Sequence, residues 1–259
     1  MHRTIINDCR DANAVGRQMT RVASLLGGSV SFVGVTRDIE AAGNLIDVLD
    51  AFEEDDGVVL VNVAPRSGPT KRWENGTPFG YFWYKQVLVL ASIGGLTLSL
   101  VKKLGLVSAV SVLDVPQALD ELIAVGAVPH ERKDAITRTQ FRSYDFLPRV
   151  AAFLASGNAL HAGRLAITEI PAAPAAVWCV DNFGNCKTTL LAGEVAGKAH
   201  LATRFGELPY FSRLKDVPDH TAAIVTGSSG LGRQRFVEIV LQGGSAAAQL
   251  SISVGDDVL

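Results

Sequence analysis

With 259 residues, a formal net charge of −2 and 48% hydrophobic side chains, the chain can bury one large core or two smaller ones and is too apolar to be disordered. It has no basic surplus to track a nucleic-acid backbone, so the expected ligand is a small molecule. No apolar run reaches the length of a membrane span, and Met1-His2-Arg3-Thr4-Ile5-Ile6 reads as a first strand rather than a leader peptide. A cytoplasmic setting is the expectation.

In chain order, Thr4–Asn7 reads as a strand. Asp11–Leu26 reads as a helix with Val15, Met19, Val22, Ala23 and Leu26 at helical spacing, stopped by Gly27-Gly28. A strand over Val30–Val35, a helix over Ala41–Phe52 and a strand over Gly57–Val63 follow, with Glu53-Glu54-Asp55-Asp56 as a solvated turn. This rhythm predicts a mainly parallel sheet with right-handed crossovers, whose ligands bind at the carboxyl ends of strands. Asp8 and the loop after Val63 both lie at such ends. Strands over Tyr81–Tyr84, Val87–Leu90 and Val110–Leu113, and helices over Leu96–Leu104, Pro116–Val125 and Phe146–Ser156, complete the first unit.

Ile170-Pro171-Ala172-Ala173-Pro174 is a proline- and alanine-rich joint. Beyond it, Ala175–Val180, Lys187–Leu191, Thr221–Val225, Phe236–Leu241 and Gln249–Ser253 read as short strands between glycine turns, the profile of a small β-barrel or sandwich. The expected division is an α/β domain over residues 1–165, a linker over 166–173 and an all-β barrel domain over 174–259.

Several familiar motifs are absent. Gly227-Ser228-Ser229-Gly230-Leu231-Gly232 does not fit the dinucleotide pattern, and the segment after it reads as strand where that fold needs a helix. Ser67-Gly68-Pro69-Thr70-Lys71 lacks the order of a phosphate-binding loop, and Leu231 breaks a nucleophile elbow around Ser229. Neither the histidines nor Cys9, Cys179 and Cys186 stand at metal-ligand spacing, and reduced thiols are expected. What remains is a strand that carries Asp181 into a tight turn, Asn182-Phe183-Gly184-Asn185, with small-residue loops downstream at Gly227–Gly230 and Gly243-Gly244-Ser245. Such material suits a small polar ligand better than a core.

These pieces resemble, in order and over nearly the whole chain, the S-adenosylmethionine (SAM) hydroxide adenosyltransferase family, which also contains the fluorinase and chlorinase. Asp8 and Asp11 followed by Val15-Gly16 are similar to its opening segment, and Ala64-Pro65-Arg66-Ser67-Gly68 to its Pro-x-x-Gly loop. Phe141-Arg142-Ser143 resembles the segment before its last helix. Asp181-Asn182-Phe183-Gly184-Asn185 with Thr188 resembles its Phe-Gly-Asn-x-x-Thr signature. Gly227–Gly230, Val237-Glu238-Ile239, Gly243–Ala247 and Gly255-Asp256 resemble its closing segment.

The resemblance implies a nucleoside-binding α/β domain joined to a β-barrel, and a homotrimer whose sites lie between one copy's N-terminal domain and its neighbour's C-terminal domain. It implies that Asp8 holds the ribose hydroxyls, with Asp11 beside it. Asp181, Asn185, Ser228 and Ser229 would hold the methionine amino and carboxylate groups, Phe183 would pack beside them, and Gln242 and Gly243 would contact adenine. The chemistry agrees: an ionised aspartate accepts two hydroxyl donors at once, and a second one pairs with an ammonium. The competing structural roles are a helix cap for Asp8 and a side-chain-stabilised turn for Asp181 and Asn185.

The chain departs from the family at its catalytic set. Ala64 stands where the hydrolytic members have Asp and the halide-using members have Tyr, Arg142 stands in place of the His, and Gly94-Gly95 replaces an Asn-Gly pair. Ser67 and Ser143 keep hydroxyls, and Arg72 keeps an arginine in the loop. A sulfonium is an excellent leaving group, so the reaction at C5′ needs mainly a positioned, dehydrated nucleophile. The expectation is hydrolysis of SAM to adenosine and methionine, with Ser67, Arg72, Arg142 and Ser143 around the water. The alternatives are a binding protein that has lost catalysis and, third, a halide-using transferase. No metal and no cofactor are expected, SAM being the substrate.

Overall fold

The computed structural model describes residues 1–64 and 77–259. Its N-terminal part is a seven-stranded sheet flanked by helices. In chain order the elements are β1 (His2–Asn7), α1 (Ala12–Leu26), β2 (Val30–Gly34), α2 (Asp38–Ala51), β3 (Gly57–Asn62), β4 (Phe79–Tyr84) and β5 (Val87–Ser92). Then come α3 (Ser99–Lys103), β6 (Ala109–Leu113), α4 (Val115–Ala124), α5 (Lys133–Arg138), α6 (Arg142–Asp145), α7 (Leu147–Ala155) and β7 (Gly163–Ala166). The strand order is β2-β1-β3-β5-β4-β6-β7. The three ladders joining β2, β1, β3 and β5 are parallel. The three beyond them are antiparallel.

The apolar runs Val58–Val61 and Val87–Ala91 are unbroken because both faces of this sheet are covered. Ile5, Val58, Leu60, Leu88 and Leu90 point to the side of α1, α4 and α7, where they meet Val22, Leu119, Leu122, Val150 and Leu154. Ile6, Val59, Val61, Val87 and Val89 point to the side of α2 and α3. One-residue alternation therefore feeds two cores from the same strands.

The C-terminal part contains β8 (Val177–Val180), β9 (Cys186–Leu191), α8 (Ala192–Val195), β10 (His200–Thr203), β11 (Gly206–Phe211), β12 (Ala222–Leu231), β13 (Gln234–Leu241) and α9 (Ala246–Leu250). Its strands form one curled six-stranded sheet in the order β10-β11-β12-β13-β9-β8, with its own core around Val177, Ile224, Val237 and Ile239. β11 and β12 run parallel, whereas the other ladders are antiparallel.

The two parts are locked along α2. Trp178 and Phe236 join the core on the α2 side, with their rings 6.4 Å apart at 67°. A Cβ at Gly43 would collide with the Trp178 ring, so the glycine inside α2 is the seat for the indole. Asp47 and Asp50, one helical turn apart, accept from the backbone N–H groups of Gly230 and Gly232 at 2.9 and 2.8 Å. Arg235 also binds Asp50 at 2.7 Å. Burial works against ionisation of Asp50, but the Gly232 N–H and the Arg235 guanidinium outweigh it and hold its carboxyl below the usual range. On α3, Lys103 donates to the Thr189 carbonyl and pairs with Glu194 at 2.7 Å.

Several elements differ from the sequence expectation. Gln249–Ser253 is no strand: Ser245 caps a helix over Ala246–Leu250, which ends at Ser251 in the left-handed region. The alternation of Leu250 and Ile252 imitated a strand where an alanine-rich turn of helix forms. β10 and β11 went unread. So did β7, which pairs antiparallel with β6 at the sheet edge. On α1 the buried residues are Ala14, Gln18 and Val22, a face rotated from the one that the apolar residues suggest.

Candidate functional site

The order β2-β1-β3 places the connections through α1 and α2 on opposite faces, which makes the carboxyl ends of β1 and β3 a topological switch point. Asn7 faces Asn62 there, and the chain leaves β1 as Asp8-Cys9-Arg10. The Asp8 Oδ2 accepts from the Ala64 N–H at 3.2 Å. Beside these strand ends lies a cleft of about 260 Å³ lined by Cys9, Ala64, Thr77, Phe79, Arg142 and Ser143, among others. No carboxylate and no residue of the C-terminal part is among the described residues that line it.

Arg142 opens α6, donates to the Thr77 carbonyl at 3.0 Å and lies over the Phe79 ring at 5.2 Å from its centre. Burial pulls its pKa down, though a guanidinium stays charged. Ser143 is 6% exposed and accepts from Asn7 Nδ2 at 3.3 Å. The hydroxyl of Thr77, equally buried, has no partner among the described residues. Ser67 and Arg72 lie outside the described residues. Of the expected catalytic set, the structure thus joins Arg142 and Ser143.

Asp11, not Asp8, caps α1: its Oδ1 accepts from the Ala14 N–H at 3.0 Å. Asp8 is left facing the β3 end.

The second group forms around the β8–β9 turn. Asp181 Oδ1 accepts from the N–H groups of Phe183 and Asn185, each at 2.9 Å, and Oδ2 accepts from Asn185 Nδ2 at 3.0 Å. The carboxylate therefore writes the turn itself. Gly184 has φ +83°, and a Cβ there would strike Ser245. Its carbonyl accepts from Ala247 N–H at 2.9 Å. This contact ties the turn to the loop Gln242-Gly243-Gly244-Ser245, so those two motifs, far apart in sequence, form one surface. On it Phe183 is 71% exposed, unusual for a large aromatic residue fixed on a tightly bonded turn.

Ser228 belongs to a bulge where the β12–β13 register shifts between Thr226 and Gly230. The carboxyl of Glu238 fills the space that a side chain at the neighbouring Gly227 would occupy. Burial pushes the Glu238 carboxyl up. Ser228 is exposed, whereas Ser229 is turned inward, with its hydroxyl unpartnered among the described residues. Burial pushes the Cys186 thiol up to about 12, leaving it an inert core residue. No group of three or more metal-ligating side chains occurs among the described residues.

Gln18 was not singled out from the sequence. A signal existed for Gln18: it stands at the middle of the Ala14–Gln18–Val22 stripe, a polar residue on a buried helical face.

Residues 175–259 match the family model described as the SAM hydroxide adenosyltransferase C-terminal domain. No curated protein matches the chain. Among solved structures, an uncharacterized conserved protein from Thermotoga maritima is similar with a TM-score of 0.68 at 16% identity, covering 99% of this chain and 98% of that one. A conserved hypothetical protein from Thermus thermophilus has a TM-score of 0.60 at 18% identity, covering 99% of each chain. At such identities the likeness concerns the fold of both parts together. No helix among the described residues is long and apolar enough to cross a membrane.

Proposed function

The chain carries a SAM hydroxide adenosyltransferase C-terminal domain over residues 175–259, and from that premise we propose that it hydrolyses SAM to adenosine and methionine. The supporting observation is the pairing of a switch-point cleft with an exposed aromatic turn in the matched domain. Asp8, at the end of β1, is placed for a ribose diol. The Asp181–Asn185 turn and the loop with Gln242 and Gly243 form another surface, Ser228 is exposed on the β12 bulge while Ser229 is buried, and α2 locks the two parts together. In this reading the ligand bridges two copies of the chain, in a homotrimer whose C-terminal sheets are closed as barrels.

In the reaction, a water oxygen bonds to C5′ while the C5′–sulfur bond breaks. The sulfur keeps the bonding electron pair and leaves as neutral methionine, and the surplus proton passes to solvent. The protein's part is placement and dehydration, since the sulfonium departs readily. In this reading Arg142 and Ser143 lie on the nucleophile side, where a fixed cation would favour the hydroxide-like form of the attacking water. Ser67 and Arg72 are proposed to complete that side.

The test is incubation of the purified protein with SAM, with chromatography for adenosine and methionine and calorimetry for binding. Release of both products supports hydrolysis. Binding without products favours the second reading, a SAM-binding protein, which the presence of Ala64 and Arg142 at the family's Asp and His positions motivates. Formation of a 5′-halo nucleoside in added chloride or fluoride would point to the halide-using reaction.

A further inference from the structure

Behind the cleft lies a short buried chain of side-chain amides whose hydrogen-bond directions have a single solution. The Cys9 N–H donates to Asn7 Oδ1 at 2.8 Å, which fixes the Asn7 amide: the oxygen must face Cys9 and the nitrogen must face the other way. Gln18 Nε2 donates to the Cys9 carbonyl at 3.2 Å, which fixes the Gln18 amide likewise. Asn7 Nδ2 then spends one hydrogen on Gln18 Oε1 at 2.7 Å and the other on Ser143 Oγ at 3.3 Å. Turning either amide over would set donor against donor and carbonyl against carbonyl. Asn7 and Gln18 are 1% and 2% exposed, so solvent does not relax this constraint.

The consequence falls on Ser143. Its oxygen receives a hydrogen from Asn7, and no described residue accepts its own proton. Ser143 is one of the residues that line the cleft. Thr77, with its unpartnered buried hydroxyl, lines the same cleft, and so does the Arg142 guanidinium, which can only donate. The cleft therefore carries three groups able to donate, the Ser143 and Thr77 hydroxyls and the Arg142 guanidinium, beside the amides of Asn62 and Gln140.

We propose that Gln18 is a positioning residue: by holding the Asn7 amide that the Cys9 N–H orients, it keeps one lone pair of Ser143 occupied and favours the Ser143 hydroxyl as a hydrogen-bond donor to whatever oxygen occupies the inner cleft. This role rests on the SAM reading above and deepens it: the inner cleft offers an oriented donor to an acceptor atom. Neither residue touches the ligand.

The test is a double-substitution cycle read by SAM calorimetry and by adenosine formation. Gln18→Met and Ser143→Ala are each expected to lower SAM affinity or turnover by about tenfold, the worth of one oriented hydrogen bond. Together they should lower it no further, because the first acts only through the second. Gln18→Glu supplies a second arm that is closer to isosteric. A neutral carboxyl reproduces the amide's pattern, accepting from Asn7 and donating to the Cys9 carbonyl. An ionised one sets a negative oxygen against that carbonyl. The Gln18→Glu defect should therefore vanish at low pH, relative to the parent at the same pH, and return as the carboxyl ionises. Losses that multiply in the double variant, or a Gln18→Met protein equal to the parent, overturn the proposal while leaving SAM hydrolysis standing. An unaltered protein that neither binds nor cleaves SAM overturns both.

Discussion

The switch-point cleft and the β8–β9 turn are built in opposite ways. The cleft is held from behind: its polar residues are oriented by buried amides, and its lining groups are left to face a ligand. The turn is held from within: Asp181 spends three hydrogen bonds on its own loop, and what it offers outward is the Phe183 ring. An acidic residue in a family motif is therefore not by itself a ligand contact. At Asp181 the carboxylate makes the surface, whereas at Asp8 it faces the strand ends where a diol would sit.

The comparison can be broken most severely at Gly184. Replacing it with alanine demands a left-handed backbone and a displaced Ser245, so Gly184→Ala is expected to cost about 3 kcal/mol of stability. A chemical-denaturation midpoint equal to the parent would show that the turn and the Ser245 loop are not coupled.

Asp8→Ala, at the carboxyl end of β1 beside the cleft, comes next. It should lower SAM affinity by about 2–3 kcal/mol through two lost hydrogen bonds to a charged acceptor, with little change in melting temperature. Unchanged calorimetric affinity would mean that Asp8 serves only the Ala64 end of β3.

Phe183→Ala sharpens the contrast further. The ring is exposed, so stability should stay within about 0.5 kcal/mol of the parent, while SAM binding weakens.

The smallest effect concerns Glu238 behind Ser228. Its folded pKa is raised, so the stability associated with its neutral form is fully present below the ordinary glutamate value of about 4.3 and is lost as pH rises through the folded value. Glu238→Gln should flatten that part of the melting-temperature profile. A profile identical to the parent's would place the carboxyl in water.

Much of the fold was legible because burial imposes a pattern. The runs at Val58–Val61 and Val87–Ala91 announce strands covered on both sides, and Gly27 announces the end of α1. The joint near Ile170–Pro174 lies between the last strand of one sheet and the first of the other. What stayed hidden depends on partners distant in the chain. Gly43 reads as an ordinary weak helix residue until Trp178 is seen seated on it, and Gly227 reads as a ligand loop until Glu238 fills its space. The same holds for the site. Asp8, Ser143 and the Phe183 turn could be chosen from motif order, but Gln18 acquires meaning only when α1 brings it to Asn7. Leu250 and Ile252 misled for the complementary reason: alternation over so short a stretch does not distinguish a strand from one turn of a capped helix.

The account's central claim is that cleft and turn serve one ligand from two copies of the chain. The most direct measurement is co-expression of an Asp8→Ala copy and a Phe183→Ala copy under different tags, with SAM binding and adenosine release measured on the doubly purified assembly. Each variant alone is expected to be impaired and the mixed assembly to regain a share of parental activity, because some interfaces then join an intact Asp8 to an intact Phe183 turn. A mixed assembly no better than either variant alone would contradict it.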